Sequence, residues 1–319
     1  MRCPNLYIVG APKAGTTSLY QYLNQHPNIS IPNKEPRYLI RKNILKVSKD
    51  DPIKPYLLRS SILDKEAYNR LYRNKSEKIL CDASSQYLYH HKDVIPQIKS
   101  FKQSNNTKII ILLRNPIERA FSNYLHNCAT FEDLDFTQAF NQEQDRILKG
   151  FNSFWYYKGL STYYDSVKAY LEAFDEVKII LFEDFINNID ATLVDIFDFL
   201  NVDNSFTVSH FMINKKSTGI PKSKKLNSIL HSSSNFKLTK KILHKTIGEK
   251  RTKLIRELIM RKNLSKSKMA YFIRFVNQRY GYSFKGYSDL YNWSISEINA
   301  NRAINSDSNI SCPHMHIML

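Results

Sequence analysis

Leu6-Tyr7-Ile8-Val9-Gly10-Ala11-Pro12-Lys13-Ala14-Gly15-Thr16-Thr17-Ser18-Leu19 is the stretch whose reading decides the fold. An apolar run of strand length passes through two glycines, one lysine and three hydroxyl residues into Leu19, Tyr20 and Leu23, which have helical spacing. The order is strand, phosphate loop, helix. Small residues let the backbone approach an anion closely, and the free N–H groups at a helix start, aligned with the helix dipole, favour negative charge there. Lys13 adds a point charge, and Thr16, Thr17 and Ser18 add hydroxyl donors. The nucleotide triphosphatase pattern GxxxxGK[ST] has its lysine directly after the second glycine; here Thr16 stands there and the lysine precedes the glycine.

Outward from this stretch, the strongest strand signal is Thr107 to Leu113, a continuous β-branched and leucine run suited to the middle of a parallel sheet covered on both faces. It ends in Arg114-Asn115-Pro116-Ile117-Glu118-Arg119-Ala120-Phe121-Ser122-Asn123-Tyr124. Arg114 sits at the C-terminal end of that strand, where open α/β sheets bind ligands. Asn115-Pro116 starts a helix, which places Arg119 and Ser122 three apart on one face. An arginine fork and a hydroxyl at a helix start suit a phosphate monoester.

Shorter signals fill the chain between and beyond. Ile29 to Pro32 reads as a short extended piece before Asn33-Lys34-Glu35-Pro36-Arg37-Tyr38-Leu39, and Lys78 to Asp82 reads as a strand ending in Ala83-Ser84-Ser85-Gln86-Tyr87-Leu88-Tyr89. Between them, residues 41 to 77 are polar and basic, with a helix expected around Asp64 to Tyr72. His90 and His91 are possible bases, but paired at a helix start they read more often as surface residues. Phe136 to Lys149 is helical in pattern; the aromatic cluster Phe151 to Tyr157 is core or the lining of an acceptor pocket, with core the commoner use. A helix through Tyr163 to Phe174, a strand from Val177 to Phe182, a turn at Glu183-Asp184-Phe185 and a helix to Leu200 follow. Alternating strands and helices predict an α/β fold: three layers, P-loop-like, with a central parallel sheet of four to five strands flanked by helices.

Composition agrees with a folded enzyme, at 42% hydrophobic and 13% aromatic residues. The 319 residues suit one domain over 1–295, with its core in 4–225, a helical part over 226–295 and a frayed tail over 296–319. The net charge of +18 favours polyanions, acidic lipid surfaces or phosphorylated small molecules. Much of that excess lies between Lys215 and Lys253, as solvated helix faces or as a surface for an anionic substrate. Four separated cysteines carry no metal-ligand spacing and no disulfide framework is expected. With the first strand starting at Leu6 and no apolar run of about 18 residues, the expectation is a soluble, cytoplasmic protein with no transmembrane segment, in contact with acidic lipid at most peripherally.

The motifs together resemble the sulfotransferases that use 3′-phosphoadenylyl sulfate (PAPS), in particular the bacterial and heparan-sulfate-type carbohydrate enzymes. Gly10 to Leu19 is similar to their 5′-phosphosulfate loop, Lys34-Glu35-Pro36 to their KEPxYF or KExHFF segment, and Arg114 to Tyr124 to their RxPxxRxxSxY 3′-phosphate element. Asp82 to Leu88 resembles their G-E-[AS]-S-P-x-Y-L element, with Asp82 replacing the usual glutamate and Gln86 near the usual proline.

The resemblance implies sulfuryl transfer from PAPS to a hydroxyl or amine of a small-molecule or glycan acceptor, a carbohydrate or glycolipid, with adenosine 3′,5′-bisphosphate as product, no metal and no nucleic-acid partner. Lys13, Ala14, Gly15, Thr16, Thr17 and Ser18 would hold the phosphosulfate, Arg114 and Ser122 the 3′-phosphate, and Lys216, Ser217 and Gly219 would close over the adenine end. Lys13 would stabilise charge on the leaving oxygen and Glu35 would be the general base, with Lys34 near the sulfonate. Arg119 fits the motif or makes a structural ion pair; Asp82 is a second acid or base, an orienter of Lys13, or a cap of the next turn. The rival readings are a nucleotide or sugar kinase with an atypical loop, and a phosphonucleotide-binding module without catalysis.

Overall fold

In a computed structural model, residues 2–101 and 106–210 are described, together with the backbone of the antiparallel pair Ile220–Pro221 and Leu264–Ser265. Of the helices expected over 226–295 only Leu264–Ser265 is described, and its backbone is paired as a strand; the rest of that range and the tail beyond it lie outside the described residues.

Strands β1 (Leu6–Gly10), β2 (Ile29–Ser30), β3 (Ile79–Ala83), β4 (Lys108–Leu113) and β5 (Glu176–Leu181) form one sheet in the order β2-β3-β1-β4-β5, with every pairing parallel. This is the expected central parallel sheet, at the upper count of five strands. Leu6 to Val9 and Ile109 to Leu112 are fully buried, which is why both strands read as unbroken apolar runs rather than alternating ones. Burying each of the aliphatic side chains among them contributes about 1.5–3 kcal/mol, so β1 and β4 anchor the core.

Around the sheet lie α1 (Thr16–Leu23), α2 (Arg41–Lys46), α3 (Lys54–Ser60), α4 (Lys65–Arg73), α5 (His91–Lys99), α6 (Pro116–Cys128), α7 (Phe136–Asn141), α8 (Glu143–Leu148), α9 (Tyr164–Ala173), α10 (Phe182–Asn187) and α11 (Ile189–Leu200). α4 begins where expected, its Asp64 side chain accepting from the Ala67 N–H at 2.7 Å. α2 and α3 were not legible in the polar 41–60 stretch: each buries a single side chain, Ile44 and Leu57, so neither shows a repeat. The expected helix over 136–149 is two short ones meeting at Gln142, and the turn expected at Glu183 to Phe185 is inside α10. Among the described residues no helix is long and apolar enough to cross a membrane.

The strand order positions the site. From β1 the chain runs out to the β2 edge and back through β3; from β4 it runs the other way to β5. The connections leaving β1 and β4 therefore diverge, which opens a crevice beyond their C-terminal ends.

Candidate active site

β1 delivers the phosphate loop into that crevice. Its end is held from both sides: the Ala11 N–H donates to the Leu112 carbonyl at 2.6 Å, and the Leu88 N–H donates to the Val9 carbonyl at 2.7 Å. A Cβ on Gly10 would stand 2.6 Å from the Leu88 Cβ and 2.8 Å from the Ser85 carbonyl, so only glycine lets the 85–88 turn close on the strand. Lys13 (φ 70°) and Gly15 (φ 89°) take left-handed backbone conformations, and Gly15 caps α1. Thr16 is buried, while Lys13, Gly15, Thr17 and Ser18 are partly exposed along the loop and the first turn of α1. That sequence of turns places the helix start at the mouth of the crevice.

β4 delivers Arg114 to the opposite side. Its Nη1 donates to the Lys13 carbonyl at 3.3 Å, its Nη2 pairs with Glu118 at 2.9 Å, and its guanidinium lies 4.5 Å from the centroid of the Phe182 ring. Its Nε is buried without a hydrogen-bond partner among the described residues. Ser122 lies two turns along α6 and is partly exposed. Asn115 caps α6 by accepting from the Ile117 and Glu118 N–H groups, and its own N–H donates to Glu183 at 3.2 Å. Burial pushes the Glu183 carboxyl up, the Asn115 N–H opposing it and the neighbouring Glu118 adding to it. The two expected anion sites are thus joined, one carbonyl from the loop meeting one arginine from the second motif.

Arg119 does a different job. It is fully buried, donating from Nε to Ser161 Oγ at 2.7 Å, from Nη2 to the Tyr157 carbonyl at 2.9 Å and from Nη1 to the Pro12 carbonyl and Asn123 Oδ1 at 3.4 Å. The alternative of an ion pair with an acid gives way to a tether of carbonyls and hydroxyl that binds the loop to α6 and to residues 157–161. Arg119 and Ser122 therefore share a helix without sharing an environment.

Glu35 reaches the crevice by edge pairing. Lys34 forms a parallel bridge with Ala83, and the Glu35 N–H donates to the Ala83 carbonyl at 2.9 Å, so the segment adds itself to the end of β3. Glu35 is in the left-handed region at φ 62°, and so is Arg37 at φ 53°. The carboxylate accepts from Ser85 Oγ at 2.7 Å and pairs with Lys34 at 3.3 Å and Arg37 Nε at 3.4 Å. Burial alone pushes this carboxyl up, but Arg37, Lys34 and the Ser85 hydrogen bonds outweigh it and hold it below the usual carboxylate range. Neither Arg37 nor Ser85 shows this role in the sequence, beyond the two-residue spacing of Glu35 and Arg37.

Asp82 is fully buried, accepting from Tyr68 and Tyr87 hydroxyls at 2.8 and 2.9 Å and from Ser84 Oγ at 2.8 Å. Burial pushes it up to about 6, with the three hydroxyls pulling the other way. Its hydrogen bonds run to these hydroxyls and not to Lys13, which sets aside the orienter reading. His90 is not the surface residue expected: it is partly buried with Nε2 3.1 Å from Ser153 Oγ, and burial drives its imidazole down to about 4. In the aromatic cluster Trp155, Tyr156 and Tyr157 are buried, the core use. A small cleft beside the loop is lined instead by Ala11, Pro12, Leu88, Tyr89 and Tyr163. Lys216, Ser217 and Gly219 lie outside the described residues.

Residues 4–276 match the family model for the sulfotransferase domain. The chain is 24% identical over 254 residues to human carbohydrate sulfotransferase 15, covering 63% of this chain and 44% of that protein. It is 25% identical over 231 residues to human heparan sulfate glucosamine 3-O-sulfotransferase 3B1, covering 70% and 52%. The chain thus spans about half the length of these curated relatives. A solved sulfotransferase from Alicyclobacillus acidocaldarius matches at TM-score 0.61 and 34% identity, covering 67% of this chain and 87% of that one. With the family match running over most of its length and the same fold in a structure one-third identical, the chain belongs to the sulfotransferase domain family.

Proposed function

We propose that this chain is a PAPS-dependent sulfotransferase that sulfates a hydroxyl or amine of a carbohydrate. The observation that carries the reading is the contact of Arg114 with the Lys13 carbonyl, which joins a phosphate loop to an arginine at the crevice. A donor with phosphate at both its 5′ and 3′ positions calls for two anion sites on one frame. The buried Arg114 Nε, which has no hydrogen-bond partner among the described residues, fits such a donor, since it is a polar atom that an anion can satisfy. Carbohydrate as acceptor class is supported by the named activities of the two human relatives.

PAPS would supply an activated sulfuryl group on a good leaving phosphate. Lys13, Thr16, Thr17 and the N–H groups at the start of α1 would bind its 5′ end and meet the charge that grows on the bridging oxygen, worth about 3 kcal/mol per well-placed donor. Arg114 and Ser122 would hold the 3′-phosphate, and Lys216, Ser217 and Gly219 would cover the adenine end. Glu35, ionised at neutral pH, would take the acceptor proton as the new S–O bond forms and the old one breaks, contributing on the order of 10² to 10⁴ in rate. The electron pair of the broken bond stays with the 5′-phosphate.

Thermal unfolding with adenosine 3′,5′-bisphosphate against ATP with Mg²⁺ tests the donor: the bisphosphate raises Tm and ATP does much less. Equal or greater stabilisation by ATP would favour a kinase. Transfer of labelled sulfate from PAPS across a panel of sugars, glucosamine-containing oligosaccharides and phenols tests the reaction, and no labelled product anywhere would leave a binding module.

A further inference from the structure

Glu35 sits on a segment whose backbone is twice in the left-handed region, at Glu35 and Arg37, and a non-glycine residue holds such a conformation only where its surroundings impose it. Two of the bonds that impose it are made by hydroxyls. The Arg37 N–H donates to Ser84 Oγ at 3.0 Å, and the Leu39 N–H donates to the Tyr87 hydroxyl at 3.1 Å. A hydroxyl can accept in a fixed direction only if its proton is committed elsewhere, and both protons go to the same place. Ser84 donates to Asp82 Oδ1 and Tyr87 donates to Asp82 Oδ2. An ionised carboxylate accepts and never donates, so it sets the polarity of both relays.

We infer that Asp82 is a positioning residue for Glu35: its carboxylate orients the Ser84 and Tyr87 hydroxyls so that both accept from the backbone of the segment carrying the glutamate. The inference rests on the reading of Glu35 as the base. It explains a carboxylate buried at the heart of the site with no cationic partner among its hydrogen bonds. Tyr68 provides an internal control. It donates to the same Oδ2 at 2.8 Å, yet no backbone N–H of the 35–39 segment is bonded to its oxygen among the described residues.

The test uses the full chain and the variants Asp82→Asn, Ser84→Ala, Tyr87→Phe and Tyr68→Phe, each also combined with Glu35→Gln. Amide exchange at Arg37 and Leu39 reads the relays directly: Ser84→Ala speeds exchange at Arg37, Tyr87→Phe at Leu39, Asp82→Asn at both and Tyr68→Phe at neither. With PAPS and a desulfated heparan oligosaccharide, Ser84→Ala and Tyr87→Phe lower kcat about tenfold, inside the hundredfold that a shift of about 1 Å can cost. Affinity for adenosine 3′,5′-bisphosphate stays at the wild-type value, and Tyr68→Phe keeps its kcat. In the Glu35→Gln background the tenfold losses disappear, because residues acting through one group are not additive. Unchanged exchange at both amides overturns the inference, as does a kcat loss for Tyr68→Phe as large as for Tyr87→Phe. The same tenfold losses on top of Glu35→Gln also overturn it while sparing the base. Full turnover in Glu35→Gln alone removes the base itself, and the positioning role with it.

Discussion

Arg114 and Arg119 stand five residues apart in one motif but make different contacts, and with donor recognition proposed for Arg114, replacing Arg119 should cost stability and not donor recognition. Its guanidinium is fully buried, and burial brings it down only to about 10, so it is charged at neutral pH. Two of its bonds are short, to Ser161 Oγ at 2.7 Å and to the Tyr157 carbonyl at 2.9 Å; the two at 3.4 Å are weak. Charge-assisted bonds are worth about 1.5–3 kcal/mol each, and Arg119→Leu also removes this donor from the Pro12 carbonyl, while the Tyr157 carbonyl keeps the Ser161 hydroxyl at 2.9 Å. Against that, the variant no longer desolvates a charge. The net loss comes to about 3–4 kcal/mol, which at roughly 2–4 °C per kcal/mol lowers Tm by about 6–16 °C. Urea and thermal unfolding followed by circular dichroism measure it, and calorimetric titration with adenosine 3′,5′-bisphosphate at a temperature where the variant is folded measures recognition. A loss under about 1 kcal/mol would refute the tether; a stable variant that no longer binds the bisphosphate would make Arg119 a ligand residue instead.

Three further outcomes are expected. Arg114→Ala should weaken adenosine 3′,5′-bisphosphate by about 1.5–3 kcal/mol and adenosine 5′-monophosphate little, in paired titrations; equal loss for both would mean that Arg114 does not read the 3′ position. Gly15→Ala should destabilise by about 1–3 kcal/mol and weaken the bisphosphate, because φ is 89° and the new Cβ would stand 2.9 Å from Phe182 Cδ2; a neutral effect on both would show that the loop relaxes freely. Through His90, stability should fall between pH 6.5 and about 4, since folded His90 stays neutral down to about 4 while its unfolded imidazole takes a proton below about 6.5; Asp82, raised to about 6 in the fold, works in the opposite sense over the same range, so the comparison is wild type against His90→Gln. At about 1.4 kcal/mol per unit the His90 contribution amounts to about 3.5 kcal/mol at most, and in urea titrations His90→Gln should keep more of its neutral-pH stability at pH 4 than wild type does; an unchanged difference would show that His90 is protonated in the fold.

The sequence by itself determined the layout. Leu6 to Val9 and Ile109 to Leu112 are buried on both faces of the sheet, so their strand character is written into consecutive side chains that need no partner to be read. The strand-loop-helix order of the loop and the start of α6 after Arg114 were legible for a related reason: a helix start is set by local spacing. What only the tertiary structure decided is which groups meet across the chain. Glu35 is held by Ser85, 50 residues on, and the loop is tied to Arg119, 107 residues from Pro12. His90 was misread as exposed because nothing near it in the chain announces Ser153, and α2 and α3 were missed because one buried residue in each leaves no period to detect. Asp82 carries the same lesson. A lone acid after a strand has several local meanings, and it acquired one when folding enclosed it among three hydroxyls, two of which pass its orientation to the segment bearing Glu35. Side-chain patterns fix elements because burial is averaged along a face, whereas sites are fixed by single contacts between elements, and those exist only once the sheet order has brought the strand ends together.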